Sequence, residues 1–371
     1  MTTVVAGSLC PPGLPRPGWL AIDDGGFIAE VGVDAPPHRP DIDLRDTLLA
    51  PGLVDLQVNG LATNDLATAE DEGWRDVGAE LLRRGVTSYL PTFVSAPLEQ
   101  YPAMLERAAA ARAAGDDDNN PGAAILGVHL EGPFLGLAPG AHPRDAIRTA
   151  DTDALAALLD RVPDLVRMVT LAPEADPGCD AIRLLAARGV TVALGHSVCT
   201  YNEAVAATDA GASVVTHLFN CTGPMHHREP GLAGAALDDD RLTPTLIADL
   251  AHVHPAVVRV ALMAKANVAV VSDTVATGAG SVISRDGAVC LGDGTFAGAT
   301  TTLDGALRNL VGIGVPVERA VEVTSTIPTR LLGLTDRGSL EAGRRADVIA
   351  LDPSTLALRG VWRAGRNVSA G

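Results

Sequence analysis

Apolar residues in the middle of the chain come in continuous runs, not in alternation. Eight runs stand out: Leu53–Val58, Val86–Pro91, Ala124–Leu130, Val166–Leu171, Val190–Leu194, Ser213–Thr216, Thr245–Ala248 and Val268–Ser272. They are rich in β-branched residues. Between most of them lie stretches of helical character: Asp71–Arg84, Leu98–Ala114, Asp153–Arg161, Cys179–Arg188 and Asn202–Ala210. A strand covered on both faces reads as an unbroken apolar run, because neither face meets water. Such strands alternating with helices predict the α/β class, with a parallel sheet closed as a (β/α)8 TIM-like barrel. An open doubly wound sheet is the runner-up, but no strand–GxGxxG–helix unit supports it.

The two ends read differently. The first 49 residues carry short strand-like segments, such as Gly18–Ile22 and Phe27–Val33, around the turn Asp23–Gly26. The end resumes this texture from about Gly338, with GSLEAGRRADVIALD and then LRGVWRAG. Pro and Gly punctuate both segments, and no helical period runs through them. The expected organisation is a small β-sandwich domain from residues 1–49 and 338–371, flanking a barrel at 50–337. The polar stretch 113–121 reads as a solvated loop.

Composition narrows the function classes. The chain has 371 residues, 47% of them hydrophobic and only 3% aromatic, so Ala, Val and Leu carry the core. With 28 basic against 45 acidic residues the net charge is −17, which repels nucleic acid and anionic membrane. A phosphorylated substrate would need a focused basic contact to overcome that field. Lys265 is the only lysine, in the helix-like VVRVALMAKAN, and is a poor candidate for Schiff-base or carbamate chemistry. The five cysteines are scattered and form no C-x-x-C pair, as expected of reduced thiols in a cytoplasm. The N-terminal MTTVVAGSLCPPG lacks a signal-peptide pattern, and no segment approaches the ~20 apolar residues of a membrane span.

The polar residues that close the runs carry the chemistry. They are Gln57-x-Asn59, His129-Leu130-Glu131, Gly195-His196-Ser197, Thr216-His217, Asp249 with His252, and Asp273. In a barrel these ends open on one face, where the active site lies in essentially every characterised case. Glu131, His196 and His217 are a carboxylate and two imidazoles, a donor set for one catalytic divalent metal, zinc or alternatively iron or manganese. Asp273 would serve beside it as the acid–base. A lone histidine at a strand end is more often structural, so the combination carries the argument. His129 is left unassigned, as core or supporting. His38 reads as a solvated loop residue, Cys199 as a buried small hydrophobe, and Asp238–Asp240 as a solvent-facing turn.

The segments PGLVDLQVNG, GVTSYLPTF, GVHLEGPFL, TLAPE, LGHSVCTYNEAVAATDAGA, THLFNCTGPMHHREPGLAGAAL, IADLAHVHP, VSDTVATGAG and FAGATTTLDGALRNLV resemble, in order, the N-acetylglucosamine-6-phosphate deacetylase family of the amidohydrolase superfamily. HLEGPF and THLFN…REPG are the specific parts. The resemblance implies metal ligation by Glu131, His196 and His217, and acid–base catalysis by Asp273. It implies that Ala141 and His142 lie over the amide, with His142 polarising the acetyl carbonyl. It implies substrate contacts from Asn220, Cys221, His252, Phe296, Ala297 and Gly298. Arg228 would bind the phosphate from the partner subunit of a homodimer. The chain departs from common patterns at Gln57-x-Asn59, where many amidohydrolases have H-x-H, and this argues for one metal. Leu250, Cys221 and Ala299–Thr302 also differ, on the substrate wall.

The expected reaction is hydrolysis of N-acetylglucosamine 6-phosphate to glucosamine 6-phosphate and acetate. A deacetylase of another N-acyl amino sugar, such as N-acetylgalactosamine 6-phosphate, is the near alternative. A non-catalytic scaffold would be expected to lose the metal donors or the base, yet all four are present. A deaminase would want H-x-H on the first strand and no phosphate arginine.

Overall fold

A computed structural model of the chain describes residues 3–10, 14–33, 35–115, 122–277, 283–285 and 287–368. The eight apolar runs become eight parallel strands: Leu53–Val58, Val86–Phe93, Val128–Glu131, Val166–Leu171, Thr191–Leu194, Ala212–Val215, Thr243–Ile247 and Ala269–Val271. Each pairs with the next in chain order. The barrel closes where Asp273 N donates to Gln57 O at 3.0 Å and Asn59 N donates to Thr274 O at 2.8 Å. This seam brings the first strand's end against the eighth's.

The strands form as expected because both faces are covered. Val54, Leu56, Leu90, Met168, Ala193, Val214, Ile247 and Val271 pack together as one buried cluster. Leu53, Val128, Val169, Val192, Leu246 and Val270 join a second cluster shared with helix residues such as Trp74, Val77 and Leu81. In the helix Asp71–Arg83, Trp74, Val77 and Leu81 recur at helical spacing on the buried face. Asp71 and Glu72 in its first turn and Arg83 in its last complement the helix dipole. The helix Tyr201–Asp209 starts at a capping box between Thr200 and Glu203.

Three local readings change. The run 124–130 is two pieces, Ala124–Ile125 and Val128–Glu131, because Gly127 between them adopts φ of 146°. Lys265 does not lie inside its helix, which ends at Ala264; its buried ammonium caps Asp239 O at 2.5 Å and stands 3.5 Å from Asp240 Oδ1. The turn Asp238–Asp240 is therefore tied to the protein by the one lysine. The helix Tyr101–Ala114 occupies the start of the polar stretch, whose residues from 116 to 121 lie outside the described residues.

Both termini build one seven-stranded sheet. Its spatial order is Arg366–Asn367, Leu358–Arg363, Val348–Leu351, Ile42–Pro51, Thr3–Leu9, Arg16–Ile22 and Ile28–Val33. Val5, Leu20, Ile28, Leu49, Val348 and Trp362 form its own buried cluster, while Val4, Ala6, Trp19 and Ala21 pack together separately. The long strand Ile42–Pro51 carries the chain into the first barrel strand at Leu53. Among the described residues no helix is long and apolar enough to cross a membrane.

Candidate metal centre and active site

Glu131 is the last residue of its barrel strand. His196, His217 and Asp273 each lie two residues past the end of theirs. These three have φ of 50°, 30° and 52°. The left-handed region is costly for most side chains but more often visited by His and Asp, and it marks functional turns. Here it ends each strand and directs the side chain to the barrel mouth.

The four groups meet although up to 142 positions separate them in sequence. Glu131 Oε1 lies 3.2 Å from His196 Nε2 and 3.0 Å from His217 Nε2, and those two nitrogens are 3.0 Å apart. Glu131, His196 and His217 form, among the described residues, a buried group able to hold a metal ion. Gln57 Nε2 donates to Glu131 Oε1 at 2.9 Å and to Asp273 Oδ1 at 3.1 Å. Asn59 Nδ2 adds a second donor to Asp273 Oδ1. His142 Nε2 faces Glu131 Oε2 at 3.7 Å.

Burial sets the electrostatics, and partners then split the two carboxylates. Burial alone would raise Glu131, but the imidazoles of His142, His196 and His217 gathered around it outweigh that and hold its carboxyl well below the usual range. Burial, reinforced by the Glu131 charge, pushes Asp273 up to about 7. One carboxylate is thus kept ionised while its neighbour is poised to carry a proton, the pattern expected of an acid–base group. Burial lowers His196 to about 4 against the pull of Glu131. His217 is also desolvated, yet its bond to Glu131 and the charges of Glu131 and Asp273 leave it raised.

The amidohydrolase family profile matches residues 48–368. The N-acetylglucosamine-6-phosphate deacetylase of Danio rerio is 36% identical over 95% of this chain and 90% of its own. The N-acetylgalactosamine-6-phosphate deacetylase of Escherichia coli O157:H7 is 37% identical over 96% of this chain and 97% of its own. A mutant N-acetyl-D-glucosamine-6-phosphate deacetylase from Mycobacterium smegmatis, solved in complex with N-acetyl-D-glucosamine-6-phosphate, superposes with a TM-score of 0.92 at 33% identity, covering 100% of both chains. The chain belongs to the amidohydrolase family, in its N-acetylglucosamine-6-phosphate deacetylase group.

Membership makes the protein a hydrolase of amides that works with a divalent metal. The residues present fit such an ion. Two imidazole Nε2 atoms 3.0 Å apart repel unless a proton or cation lies between them. His196 Nδ1 lies 3.2 Å from Pro139 O, an acceptor, so Nδ1 carries the proton and Nε2 keeps its lone pair for a ligand.

Other expected site residues fall around this amidohydrolase centre at varying depth. His252 Nδ1 pairs with buried Asp249 Oδ2 at 2.6 Å, and its ring lies 4.8 Å from that of Phe296. Asn220 is partly buried and donates to His217 O. Cys221 lies close enough to Gly140 that a Cβ there would stand 2.6 Å from its Sγ. Ala141 is half-buried in the turn leading to buried His142. Phe296 is 45% exposed, and Ala297 is half-buried. Gly298 has φ of 139°, and a Cβ there would meet Asp273 O at 2.8 Å, so glycine permits the close approach.

Arg228 lies at the surface. It is exposed, its Nη1 lies 2.8 Å from His227 Nε2, and it lines a groove of about 430 Å³ with Thr200, Tyr201, Asn202, Glu229 and Pro230. His129 is buried below the cluster, 2.7 Å from Thr170 Oγ1, and burial lowers it to about 4. It supports the barrel interior. His38 is exposed and Cys199 buried.

Three supporting groups escaped the strand-end reading. Thr245 Oγ1 accepts from His217 N at 2.7 Å. Pro139 contributes only a carbonyl, which no sequence pattern announces. Ser95 contacts His142 from the segment after the second strand. The polar residues at and beyond the end of that strand, Thr92 within it and Ser95 after it, are the signal that could have found it.

Proposed function

We propose that this chain hydrolyses the N-acetyl group of N-acetylglucosamine 6-phosphate, giving glucosamine 6-phosphate and acetate. The observation that carries the reading is the meeting of Glu131, His196 and His217 beside a buried Asp273 held near neutrality. In this reading the barrel, residues 50–337, performs the chemistry, and residues 1–49 with 338–371 brace it. Glu131, His196 and His217 would hold one divalent ion, zinc by preference, with iron and manganese as alternatives. When bound, such an ion supplies Lewis acidity that activates water and polarises an amide carbonyl. Gln57 and Asn59 present amide donors to the carboxylates where a second metal would need imidazoles, which supports a single ion.

Asp273 takes the proton of the attacking water and delivers it to the departing amine. His142 donates a hydrogen bond to the acetyl carbonyl oxygen as negative charge develops there. Ala141, Asn220, Cys221, Phe296, Ala297 and Gly298 form the substrate wall, and His252, steadied by Asp249, bonds the sugar. Arg228 binds the phosphate in the site of the partner subunit of a homodimer, where its fork suits phosphate oxygens. Its exposure supports a role across an interface. The free cysteines support a cytoplasmic setting.

The test is acetate release by purified, metal-assayed protein from gluco- and galacto-configured N-acetylhexosamines, each with and without the 6-phosphate. The reading expects N-acetylglucosamine 6-phosphate to be the best substrate. Preference for the galacto isomer would move the assignment to that sugar, and no release from any would remove it.

A further inference from the structure

His142 is an imidazole beside the centre whose two nitrogens the backbone tells apart. The Ser95 backbone N–H donates to His142 Nδ1 at 3.1 Å, and Ser95 Oγ lies 2.9 Å from the same atom. A backbone N–H has no lone pair to offer, so Nδ1 can only accept. The proton of the neutral ring therefore resides on Nε2, the atom that faces Glu131 Oε2.

The surroundings hold Ser95 in this role. Its side chain is buried. The hydroxyl of buried Tyr101 accepts from Ala96 N at 3.3 Å and donates to Val94 O at 3.4 Å, clamping the chain on both sides of Ser95. Gly132, directly after Glu131, has φ of 89°, and a Cβ there would come within 2.2 Å of Ser95 Oγ. The glycine thus leaves the space that the serine hydroxyl fills.

We propose that Ser95 is the positioning residue for His142, orienting its ring so that an Nε2–H donor is aimed at the substrate carbonyl. This rests on the deacetylase reading above. A ring that carries its proton at Nε2 offers a donor and no lone pair on that side, which leaves Asp273 to accept the water proton. The orientation of His142 is thus set by one backbone amide and one hydroxyl from the segment after the second barrel strand.

The experiment uses zinc-loaded full-length protein labelled with ¹⁵N-histidine, with His142 assigned by its disappearance in His142→Gln. The expected spectrum shows an unprotonated Nδ1 and a protonated Nε2; a proton on Nδ1 overturns the proposal. In Ser95→Ala the expected result is a fall in kcat of about tenfold with KM changed less than about twofold, since the lost contact acts on alignment and not on affinity. Nδ1 should stay unprotonated in the same variant, because the Ser95 backbone N–H remains. Unchanged kcat overturns the proposal. If Ser95→Ala does not fold, the wild-type spectrum still decides. Failure of the wild type to release acetate would strike the deacetylase reading alone, because the tautomer is read without turnover.

Discussion

Asn59 donates its side-chain amide to Asp273 Oδ1 across 2.8 Å, although 214 positions separate the two residues. The contact exists because the first and eighth strands share the closing seam of the barrel. Gln57 reinforces it from the same strand end. Two donors on one oxygen fix the direction of the other, which is the oxygen free to exchange a proton. Asn59→Ala should therefore lower kcat by about tenfold through loss of alignment, with metal content unchanged. Steady-state acetate release and metal analysis check both halves.

Asp273→Asn removes the proton carrier but keeps the shape and the contacts of one oxygen. Turnover should fall by roughly 10²–10⁴-fold, the usual contribution of a positioned acid–base group. The metal should stay bound. Activity retained at the wild-type level would take Asp273 out of the mechanism.

Glu131→Gln exchanges an ionised ligand for a neutral amide at the point where His196 and His217 converge. The variant should purify largely without divalent metal, and added zinc should rescue it poorly. In the unaltered protein, chelation should abolish hydrolysis and zinc should restore it. Full metal content in Glu131→Gln, by elemental analysis, would contradict the ligand assignment.

Arg228→Ala should weaken kcat/KM for phosphorylated sugars by about 10–100-fold while leaving plain sugars nearly unaffected, as loss of a charge-assisted pair requires. If the arginine serves the partner's site, mixing refolded Arg228→Ala with Asp273→Asn chains should regenerate activity. A random mixture of dimers would recover about a quarter of wild-type sites. Equal losses on both substrate types, or no recovery on mixing, would each remove the role proposed for Arg228.

The terminal sheet tests differently, because nothing in it touches the centre. Leu49 is fully buried in that sheet's own cluster. Leu49→Ala should cost about 2–5 kcal/mol of stability, the range for a buried leucine that leaves a cavity. Its melting temperature should drop while kcat of the folded fraction stays at the wild-type value. A matching loss of kcat would mean the sheet shapes the barrel mouth.

Much of this was legible in the chain order. Runs such as Leu53–Val58 and Val166–Leu171 matched their strands residue for residue, since burial on both faces leaves a local apolar signature. Glu131, His196, His217 and Asp273 could be collected because strand ends in a barrel share one face. Lys265 and the run 124–130 were read less well, since a cap and a glycine break depend on what packs nearby.

Periodicity and residue type by themselves determined the strands, the helices and the set of polar groups at the mouth. Tertiary structure decided which oxygen or nitrogen each group presents. Only closure of the barrel put Asn59 on Asp273, only a carbonyl from Pro139 selected the His196 lone pair, and only a backbone N–H at Ser95 chose the His142 proton. The physical reason is that burial patterns are written locally in side chains, whereas hydrogen-bond direction depends on backbone atoms every residue shares, placed by contacts distant in sequence.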